Sequence, residues 1–163
     1  MTSADNQQER LKTEGWIVGF TDGEGCFSVS FIKNKTVKSG WQIFPEFVIT
    51  QGEKSLSALK LFQKHFGCGK IFINKRYDNH RKNLYRFCVR SIRDLQDKII
   101  PFFEKNRLQT KKEIDFKIFS KIVSEIRKKK HLSKNGAIKI ARMIERMNTQ
   151  KKSRFLESSE TIS

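Results

Sequence analysis

Three glycines spaced four residues apart, Gly15, Gly19 and Gly23, set the strongest limit on what the N-terminal part of this chain can become. At that spacing they share one helix face and leave it without side chains, so a second helix can approach closely. The run Ile17-Val18-Gly19-Phe20-Thr21-Asp22-Gly23-Glu24-Gly25 is apolar until its last turn, where two acids stand between glycines. Thr13 reads as an N-cap, which predicts a helix from Glu14 to about Asp22 preceded by a polar arm over residues 1–12. From Cys26 the period switches to two: Phe27, Val29 and Phe31 share one face, while Cys26, Ser28, Ser30 and Ile32 share the other. A helix running straight into a half-buried strand is therefore expected.

The alternation continues. A second strand is predicted from Trp41 to Gln51, with Pro45 marking an edge or bulge, and together the two strands make a hairpin. Ser55 to Phe66 has helical spacing and ends at Gly67-Cys68-Gly69. Lys70 to Tyr77 and Leu84 to Arg90 then form a second hairpin, with Ile71, Ile73, Phe87 and Val89 on its greasy face. Helices are predicted for Arg93 to Phe103, Thr110 to about Lys130 and Ser133 to Asn148, with Thr110 and Ser133 as caps. Residues 149–163 read as a flexible tail, which leaves one domain over residues 13–148. The fold class is α+β, with helices packed on one face of an antiparallel sheet.

The other face of that sheet is basic. The chain carries 34 Lys and Arg against 17 Asp and Glu, a formal net charge of +17 and a pI near 10.0. Polyanions are the expected partners. Basic charge is spread along the whole length, and no long apolar run or signal-like segment stands out, which favours nucleic acid over a membrane surface and an intracellular protein over a secreted one. Cys26, Cys68 and Cys88 are odd in number, far apart and never in a C-x-x-C pair, which argues against a disulfide framework or a structural zinc. His65 and Cys68 lack a second half for a metal site and read as an ordinary helix end. The run Arg127-Lys128-Lys129-Lys130 reads as a solvated helix end rather than a targeting signal.

Two chemistries meet here. Lys, Arg, Asn and Gln alternating outward from a two-stranded ribbon can reach base edges and phosphates in a major groove. Carboxylates beside open main-chain carbonyls suit a hard ion such as Mg²⁺, which keeps several waters and a substrate phosphate among its ligands. Phosphodiester cleavage is the reaction that joins the two. On spacing alone, Asp22 and Glu24 read first as helix-end or turn acids rather than as metal ligands.

The segment from Trp16 to Phe27 resembles the motif of the LAGLIDADG homing endonucleases, and the element order resembles their αββαββα core, a sheet shaped as a DNA-binding saddle, here with extra C-terminal helices. With one motif copy, the resemblance implies a homodimer whose motif helices pack through Gly15, Val18, Gly19, Asp22 and Gly23. It also implies metal binding at Glu24 and the Gly23 carbonyl, with Mg²⁺ as cofactor and Mn²⁺ able to substitute. Gln51, at the end of Phe47-Val48-Ile49-Thr50-Gln51, falls on the position that holds an active-site water, and Lys111 on that of a charge-stabilising base. A basic residue found in some members four positions after Gln51 is replaced by Ser55, with Lys54 beside it as a substitute. The implied DNA contacts are the outward positions Ser28, Ser30, Ile32 and Asn34, then Gln42, Phe44, Glu46 and Val48, and finally Lys70, Phe72, Asn74, Arg76, Arg86, Cys88 and Arg90. The expected activity is a staggered double-strand cut at a long pseudo-palindromic DNA target, in a bacterial cytoplasm or an organelle. The alternatives are an intron RNA maturase, which would make intron RNA a partner, and a non-cleaving DNA-binding regulator.

Overall fold

The helix that carries the glycines is much longer than its apolar spacing suggests. In the computed structural model, which describes residues 3–37, 40–74, 83–147 and Leu156, α1 runs Ser3–Glu24 without a break. Thr13 is not a cap: its hydroxyl donates to the Glu9 carbonyl at 3.0 Å, as a threonine inside a helix does. Residues 4–12 hold one large apolar side chain, Leu11, so no periodicity betrays them, yet Gln, Glu, Arg, Leu and Lys are good helix formers. An Arg10–Glu14 pair one turn apart, at 3.7 Å, ties this extension to the motif segment.

Four strands follow in two hairpins: β1 Gly25–Lys33, β2 Trp41–Gly52, β3 Lys70–Asn74 and β4 Leu84–Val89. They form one antiparallel sheet in the order β1-β2-β4-β3. Pro45 stands opposite Val29 with no bulge, but β4 pairs with β2 only from Phe47 onward. The strand therefore has a local free edge where proline cannot donate. Between the hairpins, a 3₁₀ turn Glu53–Ser55 leads into α2 Leu56–Phe66. Gly67 closes α2 at φ 57°, a left-handed cap that glycine adopts without strain.

After the sheet, α3 Ile92–Asp94 opens with Ser91 accepting from the Asp94 amide, widens into a π turn at Leu95–Ile99, and continues as α4 Ile100–Lys105. Pro101 accounts for the widening, since it has no N–H and its ring would collide with the carbonyl four residues back. Then come α5 Lys112–Arg127, a 3₁₀ turn Lys130–Leu132 and α6 Lys134–Ile144, whose cap Ser133 accepts from the Gly136 amide. The helical segment expected to reach Asn148 thus stops its regular turns at Ile144. Arg76, residues 78–82 of the second loop, and the tail apart from Leu156 lie outside the described residues.

Phenylalanines hold the layers together. Phe27 of β1 stacks on Phe47 of β2 at 5.0 Å and meets Phe103 of α4 at 5.5 Å, Phe116 of α5 at 5.2 Å and Phe119 at 5.4 Å. The greasy face of the second hairpin is only partly covered: Phe87 and Val89 are buried, but Ile73 on the edge strand stays exposed. His65 packs edge-on against Phe66 at 5.1 Å and Phe102 at 5.2 Å. Burial pushes its pKa below the usual histidine range, partly offset by the Glu14 carboxylate.

Two outcomes are expected in urea unfolding. Phe27→Ala should cost about 3–5 kcal/mol, whereas a side chain as exposed as Ile73 should lose about 0.5 kcal/mol or less on truncation to Ala. Because the fold disfavours the proton on His65, its contribution is present above the unfolded pKa of about 6.5 and declines as pH falls through that value. The urea midpoint should therefore drop between pH 7.5 and 5, and drop less in His65→Gln.

Candidate active site and nucleic-acid interface

The glycine face of α1 is bare. A Cβ placed at Gly15, Gly19 or Gly23 would meet nothing within 4 Å, and all three positions are exposed. The opposite side is packed: Ile17 and Thr21 are fully buried. At the end of α1 the chain turns directly into β1, and the joint is tight. A Cβ at Gly25 would stand 2.7 Å from the Thr21 methyl and 2.9 Å from the Thr21 carbonyl. Only glycine fits where the strand leaves the helix this closely.

The two acids of the motif do different work. Asp22 accepts from the Gln109 amide at 2.8 Å, the Thr110 amide at 3.2 Å and the Thr110 hydroxyl at 2.8 Å, so it staples the loop before α5 to the end of α1. Thr110 is not the cap of α5, which is Lys111; it stands one residue earlier, its hydroxyl accepting from the Lys112 amide at 3.2 Å. Glu24 is exposed, and its carboxylate enters no hydrogen bond or ion pair among the described residues. One acid is committed to structure and the other is left open.

The staple also sorts the lysines. Lys112 donates its ammonium to the Thr21 carbonyl at 3.0 Å, which holds a positive charge against the last turn of α1. Lys111 is exposed at the start of α5. Gln51, the next-to-last residue of β2, pairs with Tyr85 of β4. Gly25 pairs with Ile49, so continuing that register sets Glu24 across from Thr50, one residue from Gln51. Lys54 is exposed on the 3₁₀ turn just beyond.

No group of three or more His, Cys, Asp or Glu suited to a metal occurs among the described residues. One free carboxylate beside glycine carbonyls does fit a hard ion that takes one or two carboxylates and completes its shell with water and substrate phosphate.

The outward sheet face is built as the alternation predicts, with two exceptions. Ser28, Ser30, Ile32, Gln42, Lys70, Phe72 and Asn74 are accessible, and Asn34 at the hairpin end donates to the Gln42 side chain at 2.9 Å. Val48 and Cys88 face the same way but are only 8% and 3% exposed, and so are not open contact positions. They stand opposite each other on β2 and β4, among the long side chains of Glu46, Arg86 and Arg90. Burial raises the thiol pKa of both Cys26 and Cys88 on this face, so both stay protonated.

An open sheet face, a bare glycine helix and a free acid thus meet at one junction. Residues 17–123 match the LAGLIDADG endonuclease family, and the chain belongs to it. It is 38% identical over 121 residues to "Probable intron-encoded endonuclease 2" of Neurospora crassa, covering 74% of this chain and 26% of that protein. It is 28% identical over 101 residues to "DNA endonuclease I-CeuI" of Chlamydomonas moewusii, covering 62% and 44%. The chain thus spans about a quarter of the length of the two Neurospora relatives it matches, 26% and 25%. Among solved structures it is similar to the homing endonuclease I-TnaI, at 39% identity and TM-score 0.79, over 92% of this chain and 97% of that one. I-CpaMI bound to uncleaved DNA gives 30% identity and TM-score 0.82, over 91% of this chain and 48% of that one. I-SmaMI has been seen bound to cleaved DNA, and to its uncleaved target with calcium ions, each at 30% identity and TM-score 0.80.

The division between the acids is measurable by denaturation. Asp22→Ala removes the acceptor of three hydrogen bonds and should destabilise the fold by about 1–3 kcal/mol. Glu24→Gln should leave the urea midpoint unchanged.

Proposed function

We propose that this chain is a site-specific DNA endonuclease, dependent on a divalent metal, in which two motif helices meet to form one active centre. The observation that carries the reading is the free carboxylate of Glu24, held at the joint between the bare glycine helix and the open sheet face while its neighbour Asp22 is fully bonded. Similarity to structures seen on uncleaved and cleaved DNA supports double-stranded DNA as substrate. Similarity to I-TnaI along nearly all of that chain supports a homodimer, since the two-fold longer I-CpaMI and I-SmaMI chains are each matched over 48% of their length. Intron-encoded relatives support an intracellular setting, bacterial or organellar, and no helix among the described residues is long and apolar enough to cross a membrane.

Each residue has a role in this reading. Glu24 and the Gly23 carbonyl hold the ion, for which Mg²⁺ is the physiological choice and Mn²⁺ a substitute. When bound, the ion lowers the cost of charge developing at the scissile phosphate and of activating water. Gln51 orients that water with its side-chain amide. Lys112, fixed to the Thr21 carbonyl, places a positive charge at the same end of the helix and takes the role first carried to Lys111; Lys111 remains a phosphate contact. Gly15, Val18 and Gly19 form the seam, and two-fold symmetry across it gives a pseudo-palindromic target.

DNA spanning the intron-less host locus, incubated with the protein and Mg²⁺, should be cut at one position on both strands, and EDTA should abolish the cut. Glu24→Gln should bind the same DNA without cutting it. A cut that survives in Glu24→Gln, or that persists in EDTA, removes Glu24 from the metal site.

A further inference from the structure

Glu46 places an acid in the middle of a face proposed to meet a polyanion, yet its charge is not left open. Its Oε1 accepts from Arg86 Nη2 at 3.0 Å and its Oε2 from Arg90 Nε at 2.8 Å. Arg90 is then enclosed further: its guanidinium carbon lies 5.2 Å from the centre of the Phe44 ring and 5.2 Å from that of Phe72. Phe44 and Glu46 belong to β2, Phe72 to β3 and Arg86 to β4, with Arg90 directly after β4. These are three neighbouring strands, so the cluster bridges the open face rather than decorating its rim.

Fold stability does not account for such a clamp. Ion pairs this accessible contribute little, and the Arg90 side chain is still 40% exposed. What the clamp does is fix the plane and direction of a side chain that would otherwise lose its rotamer freedom on binding. The chemistry left open is specific. With Nε taken by Glu46, the donors that remain are on the terminal nitrogens, a fork that can donate to guanine O6 and N7 together. Each Glu46 oxygen accepts from an arginine and the side chain is only 13% exposed, so its charge is directed at the two arginines rather than outward. A flexible lysine in place of Arg90 would supply charge without the fork.

We propose that Arg90 is a specificity-determining residue that selects guanine at one position of each DNA half-site, with Glu46, Phe44 and Phe72 as positioning residues that preset it. The proposal rests on the reading of the sheet face as the DNA surface and is independent of cleavage. It is tested by binding: the protein selects from randomised duplexes without metal, and the selected site is then varied one base pair at a time in competition. The wild type should prefer guanine at one base pair per half-site by about 5- to 150-fold. Arg90→Lys and Arg90→Ala should level that position alone and keep the preferences elsewhere. Phe72→Leu, which leaves every donor in place, should weaken the same preference while melting with the wild type. If Arg90→Ala folds poorly, Arg90→Lys decides. Variants that weaken all targets equally while keeping the guanine preference would make Arg90 a phosphate contact and overturn the proposal. A wild type that selects no sequence at all would instead overturn the DNA reading, and Arg90's role with it.

Discussion

The carboxylate of Asp22 holds the structure's two functional halves together. It bonds a loop 87 and 88 residues further along the chain, and by doing so fixes where α5 begins relative to the end of α1. Lys112 can reach the Thr21 carbonyl only because that loop is in place. The packing of α5 on β1 starts from the same anchor, and Phe27 closes it with rings from β2, α4 and α5. A carboxylate that already accepts from three donors is a poor free ligand. Its commitment leaves Glu24 as the open acid of the motif.

The sheet face repeats the same economy on a larger scale. Its negative charge is confined in Glu46, which two arginines neutralise, and the short side chains between them are covered. The face that remains is one of accessible polar groups, an exposed lysine and a clamped arginine. In the proposed function, affinity for DNA comes from phosphate contacts spread over the basic surface, and sequence discrimination from the few groups held in a fixed direction. The bare glycine stripe lies on the far side of α1 from the core, so joining a second motif helix requires no rearrangement inside the fold.

Much of this is readable in the amino-acid order because local physics dictates it. The alternation of Phe27, Val29 and Phe31, the Gly67 cap and the Ser133 cap depend on neighbours within a few residues, and the structure has them as expected. The first ten residues of α1 are helical through propensity and continuity with the motif helix, which leaves no apolar period to detect. The π turn depends on how the helix absorbs Pro101. Asp22 looked like half of an acidic pair, because its partners are distant in sequence. Likewise Val48 and Cys88 alternate outward correctly, but their burial is decided by side chains on other strands. Lys112 was separable from Lys111 only once the direction of its ammonium was known.

In the proposed centre each chain supplies one free Glu24 across the glycine seam, one acid for each DNA strand. Mixed pairs of wild-type and Glu24→Gln chains, isolated through a tag on one partner and given supercoiled plasmid bearing the target with Mg²⁺, test it most directly. The account predicts nicked circles as the main product, because one strand meets an intact carboxylate and the other does not. Linear plasmid from mixed pairs, or plasmid left uncut by them while wild-type pairs linearise it, would contradict one acid per strand.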